Sequence, residues 1–287
     1  MTRGLALLAL VAVVGIGAFG AAAWVGGGKE APPPEPTVTT SPPLARLRII
    51  FPEGFTVEEM ADRVDAVRKI AISERGVTPR LTGDGYRRAV KRALAPSRFR
   101  KDAKRSSLEG FLFPASYEFT QKTTARELVA DQLAAFKERF RGVDLTYARS
   151  KNLTPYDILI IASMIEKETA VPRERRLVAA VIYNRLRNRM TLGIDATIRY
   201  GLGIPGTESL TKAAIRSQSP YNTRNRTGLP PTPIANPGLA SIRAAANPAR
   251  NVDYLYYVRK PNSLAHYFTA SERDFLRKVC EFGYACD

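Results

Sequence analysis

Acid–base chemistry in this chain is most legible around Glu166. Residues 158–168 place apolar side chains almost all the way round a helical wheel, the pattern of a helix buried on every side. Glu166 falls between Leu159 and Ala162 on that wheel. A carboxyl group so placed is partly desolvated. Desolvation disfavours the charged form, raises the pKa and keeps a proton available near neutral pH, as a general acid requires. Glu168 follows two positions on, about 200° round the helix, and cannot share a pocket with Glu166 if the helix continues. The two glutamates are therefore not a two-carboxylate site by themselves. A structural expectation opposes the catalytic one: Glu166 ends the helix and pairs with Arg173, Arg175 or Arg176.

Residues 173–189 read as a second helix, with Leu177, Val178, Val181, Ile182 and Leu186 inward and arginines outward. Asn184 lies near the apolar face, where its amide either bonds a sugar hydroxyl or acetamido group or satisfies a backbone carbonyl. Asp195, Tyr221, Asn222 and Thr223 fall in segments broken by Gly and Pro. They form a hydrogen-bonding set suited to carbohydrate, although each alone also fits a turn. His266 is the single histidine, which rules out a multi-histidine metal site or a pair of histidine bases. There is no G-x-S-x-G elbow, and Cys280 and Cys286 fit a nucleophile poorly, so acyl-transfer hydrolysis is disfavoured. No metal or cofactor is called for.

The elements that must position these groups carry clear start signals. Thr154 caps the helix of Glu166, with Pro155 at its first position and Asp157 in its first turn. Upstream, residues 46–51 predict a strand and Pro52-Glu53-Gly54 a turn. Thr56 with Glu59 then forms a capping box before a stripe of Val57, Met60, Ala61 and Val64. A basic helix is expected over residues 86–94 and an amphipathic one over 124–140, with Leu128, Leu133 and Phe136 on one side. Between them, residues 107–117 are apolar and aromatic, either core packing or the lining of a sugar groove. Residues 254–258 and 266–269 predict a strand pair joined through Pro261-Asn262, and Ser271 with Asp274 caps a last helix.

Location is written at the N-terminus. Residues 4–25 form an uncharged apolar run long enough to cross a bilayer, and Arg3 just before it places the three-residue stub, 1–3, in the cytoplasm and the remainder outside. A cleaved signal ending near Ala21-Ala22-Ala23 is the alternative. The Gly-, Pro- and Thr-rich stretch that follows reads as a tether. With 44 Lys+Arg against 27 Asp+Glu, the chain carries a formal charge of +17, spread along its length. Such a surface attracts nucleic acid, anionic lipid or anionic wall polymers alike; export argues against nucleic acid. Cys280 and Cys286 either close a small terminal loop or remain two thiols.

The run Ala162-Ser163-Met164-Ile165-Glu166-Lys167-Glu168-Thr169, with Tyr183-Asn184-Arg185-Leu186, Asp195-Ala196-Thr197 and Tyr200-Gly201, resembles the catalytic core of the endolytic murein transglycosylase (YceG-like) family. Leu108-Glu109-Gly110-Phe111-Leu112-Phe113-Pro114, Tyr221-Asn222-Thr223, Gly228-Leu229-Pro230-Pro231, Ile234-Ala235-Asn236-Pro237-Gly238 and His266-Tyr267-Phe268-Thr269 follow the family in kind and in order. Ala115-Ser116 departs from the Asp-Thr usual after the proline.

The resemblance implies an α+β protein with an N-terminal transmembrane helix at 4–25, a linker at 26–45, a small LysM-like subdomain at 46–105 and a mixed α+β catalytic domain at 106–287. It makes Glu166 the catalytic residue and Glu109, Asn184, Asp195, Tyr221, Asn222 and Thr223 substrate-binding candidates. The implied partners are peptidoglycan glycan strands, the cell (inner) membrane that anchors a single-pass chain, and cell-wall synthases. The implied reaction cuts the β-1,4 bond between N-acetylmuramic acid and N-acetylglucosamine, leaves a 1,6-anhydro end and terminates nascent strands. A muramidase-type hydrolase with Glu109 or Asp195 as second carboxylate is one rival. A non-catalytic wall-binding scaffold is the other.

Overall fold

The start signals hold at atomic detail. In the computed structural model, which describes residues 45–103 and 107–284, Thr56 and Glu59 close a capping box at the head of helix α1 (Val57–Arg75). Thr124 and Glu127 do so for α3 (Ala125–Arg141), and Thr154 and Asp157 for α5 (Pro155–Glu168). In each case a threonine hydroxyl accepts one orphan amide while an acidic side chain three residues on accepts another. Residues 4–25 and Cys286 lie outside the described residues; among the described residues no helix is long and apolar enough to cross a membrane. Cys280 is disulfide-bonded.

Strand β1 (Leu47–Ile50) precedes α1, and α2 (Gly83–Arg92) follows it, beginning earlier than the sequence suggested because Thr82 caps it. β1 then pairs antiparallel with β2 (Ser116–Phe119), Leu47 opposite Phe119. This strand begins at the end of the aromatic segment, so the N-terminal elements are stitched to residues that follow them. The aromatic segment itself is core packing. Phe111 is fully buried, edge-on to Phe99 and Phe136 and stacked on Tyr156.

Helix α5 is the central rod, with every residue from Tyr156 to Ile165 buried apart from Asp157. It packs against α6 (Arg175–Arg187), α7 (Asp195–Leu202) and α9 (Leu239–Ala246). Two short turns of helix, α4 (Thr146–Ser150) and α8 (Lys212–Ile215), complete the body. The antiparallel hairpin of β3 (Tyr256–Arg259) and β4 (His266–Thr269) leads into α10 (Glu272–Glu281), which Ser271 caps through the Asp274 amide. The fold is thus mixed α+β, with two separate two-stranded sheets among the described residues.

Candidate active site

The apolar helix that carries Glu166 ends two residues beyond it, at Glu168, and Thr169 turns into extended backbone. A cleft of about 350 Å³ opens around this helix end. Glu166, Lys167, Glu168 and Thr169 form one side, while Arg175 of α6 and Arg259, Leu264 and His266 of the hairpin complete it. The expectation that Glu168 would face a different pocket is therefore corrected. Because the helix stops, the cleft wraps its end and meets both carboxylates. They differ in what they are free to do. Glu168 accepts a 2.7 Å hydrogen bond from the Tyr257 hydroxyl, and burial raises its pKa.

Glu166 is held by two elements distant in sequence. Its Oε2 accepts from the Gly238 amide at 2.9 Å, and its Oε1 lies 3.9 Å from the Arg175 guanidinium. Only 7% of its side chain is exposed. Both contacts stabilise negative charge on the carboxylate where water cannot. Pairing with Arg175, the expected structural alternative, is thus present in loose form without ending the helix at Glu166. The loop that supplies Gly238 is pinned to α5 itself, because the buried Ser163 hydroxyl accepts from the Ile234 amide at 3.0 Å.

The turn of Pro52-Glu53-Gly54 closes over the same carboxylate. Gly54 donates to Asn236 O and Asn236 donates to Phe55 O, both at 2.9 Å, so turn and loop run side by side. Gly54 has φ +82°, so the position requires the backbone freedom of glycine, and a Cβ there would stand in ordinary contact, 3.4 Å from Glu166 Cγ. Glu53 rests on Gly238, its Oε1 1.8 Å from where a Cβ on that glycine would be. Its pKa is raised, first by burial and then by the charge of Glu166, against the lowering influence of Arg175. Opposite, Glu174 is buried and accepts from both the His266 amide, at 3.0 Å, and His266 Nδ1, at 2.8 Å, which fixes the imidazole in the cleft wall.

The remaining candidates are placed in the scaffold around this cleft, and none of them lines it. Glu109 is 3% exposed and accepts from the Val57 amide, Asn236 Nδ2 and the Tyr200 hydroxyl; burial nevertheless pushes its pKa up to about 8. Asn184 donates to Val252 O and Tyr254 O, the carbonyl-satisfying role. Asp195 pairs with Arg224 at 2.6 Å at the start of α7. Thr223 bonds the Ile194 amide and the Thr197 hydroxyl beside it. Asn222 donates to Ile215 O and Ser217 O, and the Tyr221 hydroxyl meets that of Thr232. The residues missed in the sequence are Glu53, Glu174 and Tyr257. Glu53 carried a signal, an acidic residue inside a proline–glycine turn, but nothing in its own neighbourhood pointed to Glu166.

The YceG-like family model matches residues 37–281. Over 253 residues the chain is 34% identical to the endolytic murein transglycosylase of Streptococcus pneumoniae, a match that covers 84% of this chain and 45% of that protein. It is 36% identical over 155 residues to the Bacillus subtilis protein of the same name, covering 54% and 42% respectively. The chain thus spans under half the length of these curated relatives. The 2.6 Å crystal structure of a yceG-like protein from Listeria monocytogenes superposes with a TM-score of 0.66 at 26% identity, over 80% of this chain and 75% of that one.

Proposed function

The chain belongs to the YceG-like family, and from that membership we propose that it is a membrane-anchored lytic transglycosylase cutting peptidoglycan strands, with Glu166 as both acid and base. The observation that carries this reading is the lodging of Glu166: a nearly buried carboxylate at the end of an apolar helix, at the wall of a cleft, held by a backbone amide and an arginine. The relatives named endolytic murein transglycosylase support the reaction class.

In this mechanism Glu166 protonates the glycosidic oxygen between N-acetylmuramic acid and N-acetylglucosamine. The resulting carboxylate is stabilised by Arg175 and the Gly238 amide. It then takes the proton of the muramic C6 hydroxyl as that oxygen attacks C1, which closes the 1,6-anhydro ring and returns the proton to Glu166. One carboxyl group suffices because the nucleophile belongs to the substrate, and intramolecular attack starts from a high effective concentration. The apolar run at 4–25 supports a single-pass inner-membrane anchor that keeps the enzyme beside nascent strands and cell-wall synthases. On the resemblance, residues 46–105 act as the LysM-like part.

The test is Glu166→Gln, which keeps the shape and removes the titratable proton. A folded variant should lose strand cleavage by a factor of at least about 100, while mass spectrometry of the parent's products should find 1,6-anhydro ends. Full activity in the folded variant defeats the assignment of Glu166. Reducing ends favour a hydrolase, and Glu168, the other carboxylate on the cleft wall, is then the second carboxylate to test.

A further inference from the structure

His266, the single histidine of the chain, has no part in the mechanism above, yet it lines the same cleft as Glu166. Its ring is set by one buried residue. Glu174 accepts the His266 amide on Oε1 at 3.0 Å and meets Nδ1 with Oε2 at 2.8 Å, while the Thr169 hydroxyl donates to the same Oε2 at 3.4 Å. A carboxylate offers only acceptors, so Nδ1 carries the proton in this pair, and the neutral imidazole keeps its lone pair on Nε2. Tyr257 stands nearly at right angles to the ring, centroids 5.4 Å apart, with its own hydroxyl spent on Glu168. The ring is therefore oriented from two sides.

Nε2 is the uncommitted atom of this wall. Among the described residues the buried side-chain polar atoms without a hydrogen-bond partner are Tyr156 Oη, Arg175 Nε and Ser241 Oγ. Nε2 has no such partner either and is not one of them, so solvent reaches it, on a residue that lines the cleft. Its neighbours there are engaged: Lys167 Nζ donates to Gly54 O, Glu168 accepts from Tyr257, and Arg259 Nε donates to Ser263 O. We propose that His266 is a substrate-binding residue, which accepts a hydrogen bond from an N–H or O–H of the peptidoglycan strand through Nε2. The inference rests on the reading of this cleft as the strand-cleaving site. The donor belongs either to the sugars, as a hydroxyl or acetamido N–H, or to the stem peptide, as an amide N–H. A fixed acceptor of this kind holds the strand in register beside Glu166 without entering the proton transfers.

His266→Phe keeps a ring in place and removes the acceptor. For strand cleavage by the full-length protein, KM should rise about tenfold, the worth of one hydrogen bond, with kcat changing far less. His266→Gln, which can bring an amide oxygen near the position of Nε2, should recover most of the loss. Glu174→Gln tests the tautomer with the imidazole present. Its amide oxygen is needed by the His266 amide, so its NH₂ turns to Nδ1 and the ring proton moves to Nε2; KM should rise as in His266→Phe, with no further rise in the double variant. Circular dichroism checks the fold of each variant. On strands stripped of stem peptide, a difference between parent and His266→Phe that persists assigns the donor to the sugars, and one that vanishes assigns it to the peptide. A folded His266→Phe protein with the parent's KM overturns the inference, as does a loss confined to kcat or an equal loss in the Phe and Gln variants. Sedimentation of strands with Glu166→Gln protein, with and without His266→Phe, reads the same contact without cleavage, so the inference fails or stands apart from the role of Glu166.

Discussion

Glu109 shows how one residue type serves different ends a few side chains apart. It matches the family's pattern as closely as Glu166 does, yet it is sealed among Val57, Asn236 and Tyr200, with no opening to the cleft. Its proton is a stability matter. Folding raises its pKa from an ordinary 4.5 to about 8 because burial outweighs the three donors. A carboxyl raised by folding binds its proton more tightly in the folded state. Its contribution is therefore present in full below about 4.5 and is lost as pH rises through about 8. Urea denaturation should show the parent losing on the order of a few kcal/mol between these limits, and Glu109→Gln should flatten that slope. A parent and variant with parallel pH dependence would show that Glu109 is ionised in the folded protein. At this scale the burial of Glu166 was legible in the apolar helix around it, and Arg175 was legible as a neighbour, whereas the Gly238 amide was not. Glu53 was not legible, because its partner lies more than a hundred positions away and no local period records that approach.

Elements were legible where local chemistry alone decides them. The Thr56 capping box, the Thr154 cap and the serine cap of α10 were written within four residues each, and all are present; the Thr124–Glu127 box went unread. β2 and α9 were missed for opposite reasons. β2 is four residues long and exists because β1 pairs with it, while α9 is short and small-residued, and is recognised by its burial against α5. The loop before α9 shows how elements build the site, since Ser163 on α5 ties down Ile234 and the chain reaches Gly238 four residues later. Ser163→Ala leaves the buried Ile234 amide without its acceptor, which should cost about 1–3 kcal/mol. It should also loosen the amide that steadies Glu166, so kcat should fall more than KM rises. If denaturation shows the stability loss while kcat is unchanged, the loop holds its register without Ser163.

At the scale of the whole molecule, two attachments to a membrane are proposed from the sequence, and they differ in physics. The apolar run at 4–25 acts through the hydrophobic effect, which salt does not screen. The excess of basic residues, +17 overall, acts through a field that shortens from a Debye length of about 10 Å at 0.1 M salt to about 3 Å at 1 M. Arg46, Arg48 and Arg75 line one groove at the first described strand. Pro43–Asp287 is a compact unit, so a chain beginning at Pro43 separates the two proposed attachments. On vesicles containing anionic lipid, the full chain should remain bound when salt is raised across this range, whereas a chain beginning at Pro43 should bind at low salt and release steeply. Full-length protein that also washes off would remove the anchor reading. Truncated protein that stays bound at high salt would show that its contact is apolar, and the exposed Ile50 and Ile70 would then replace the arginines as the side chains to test.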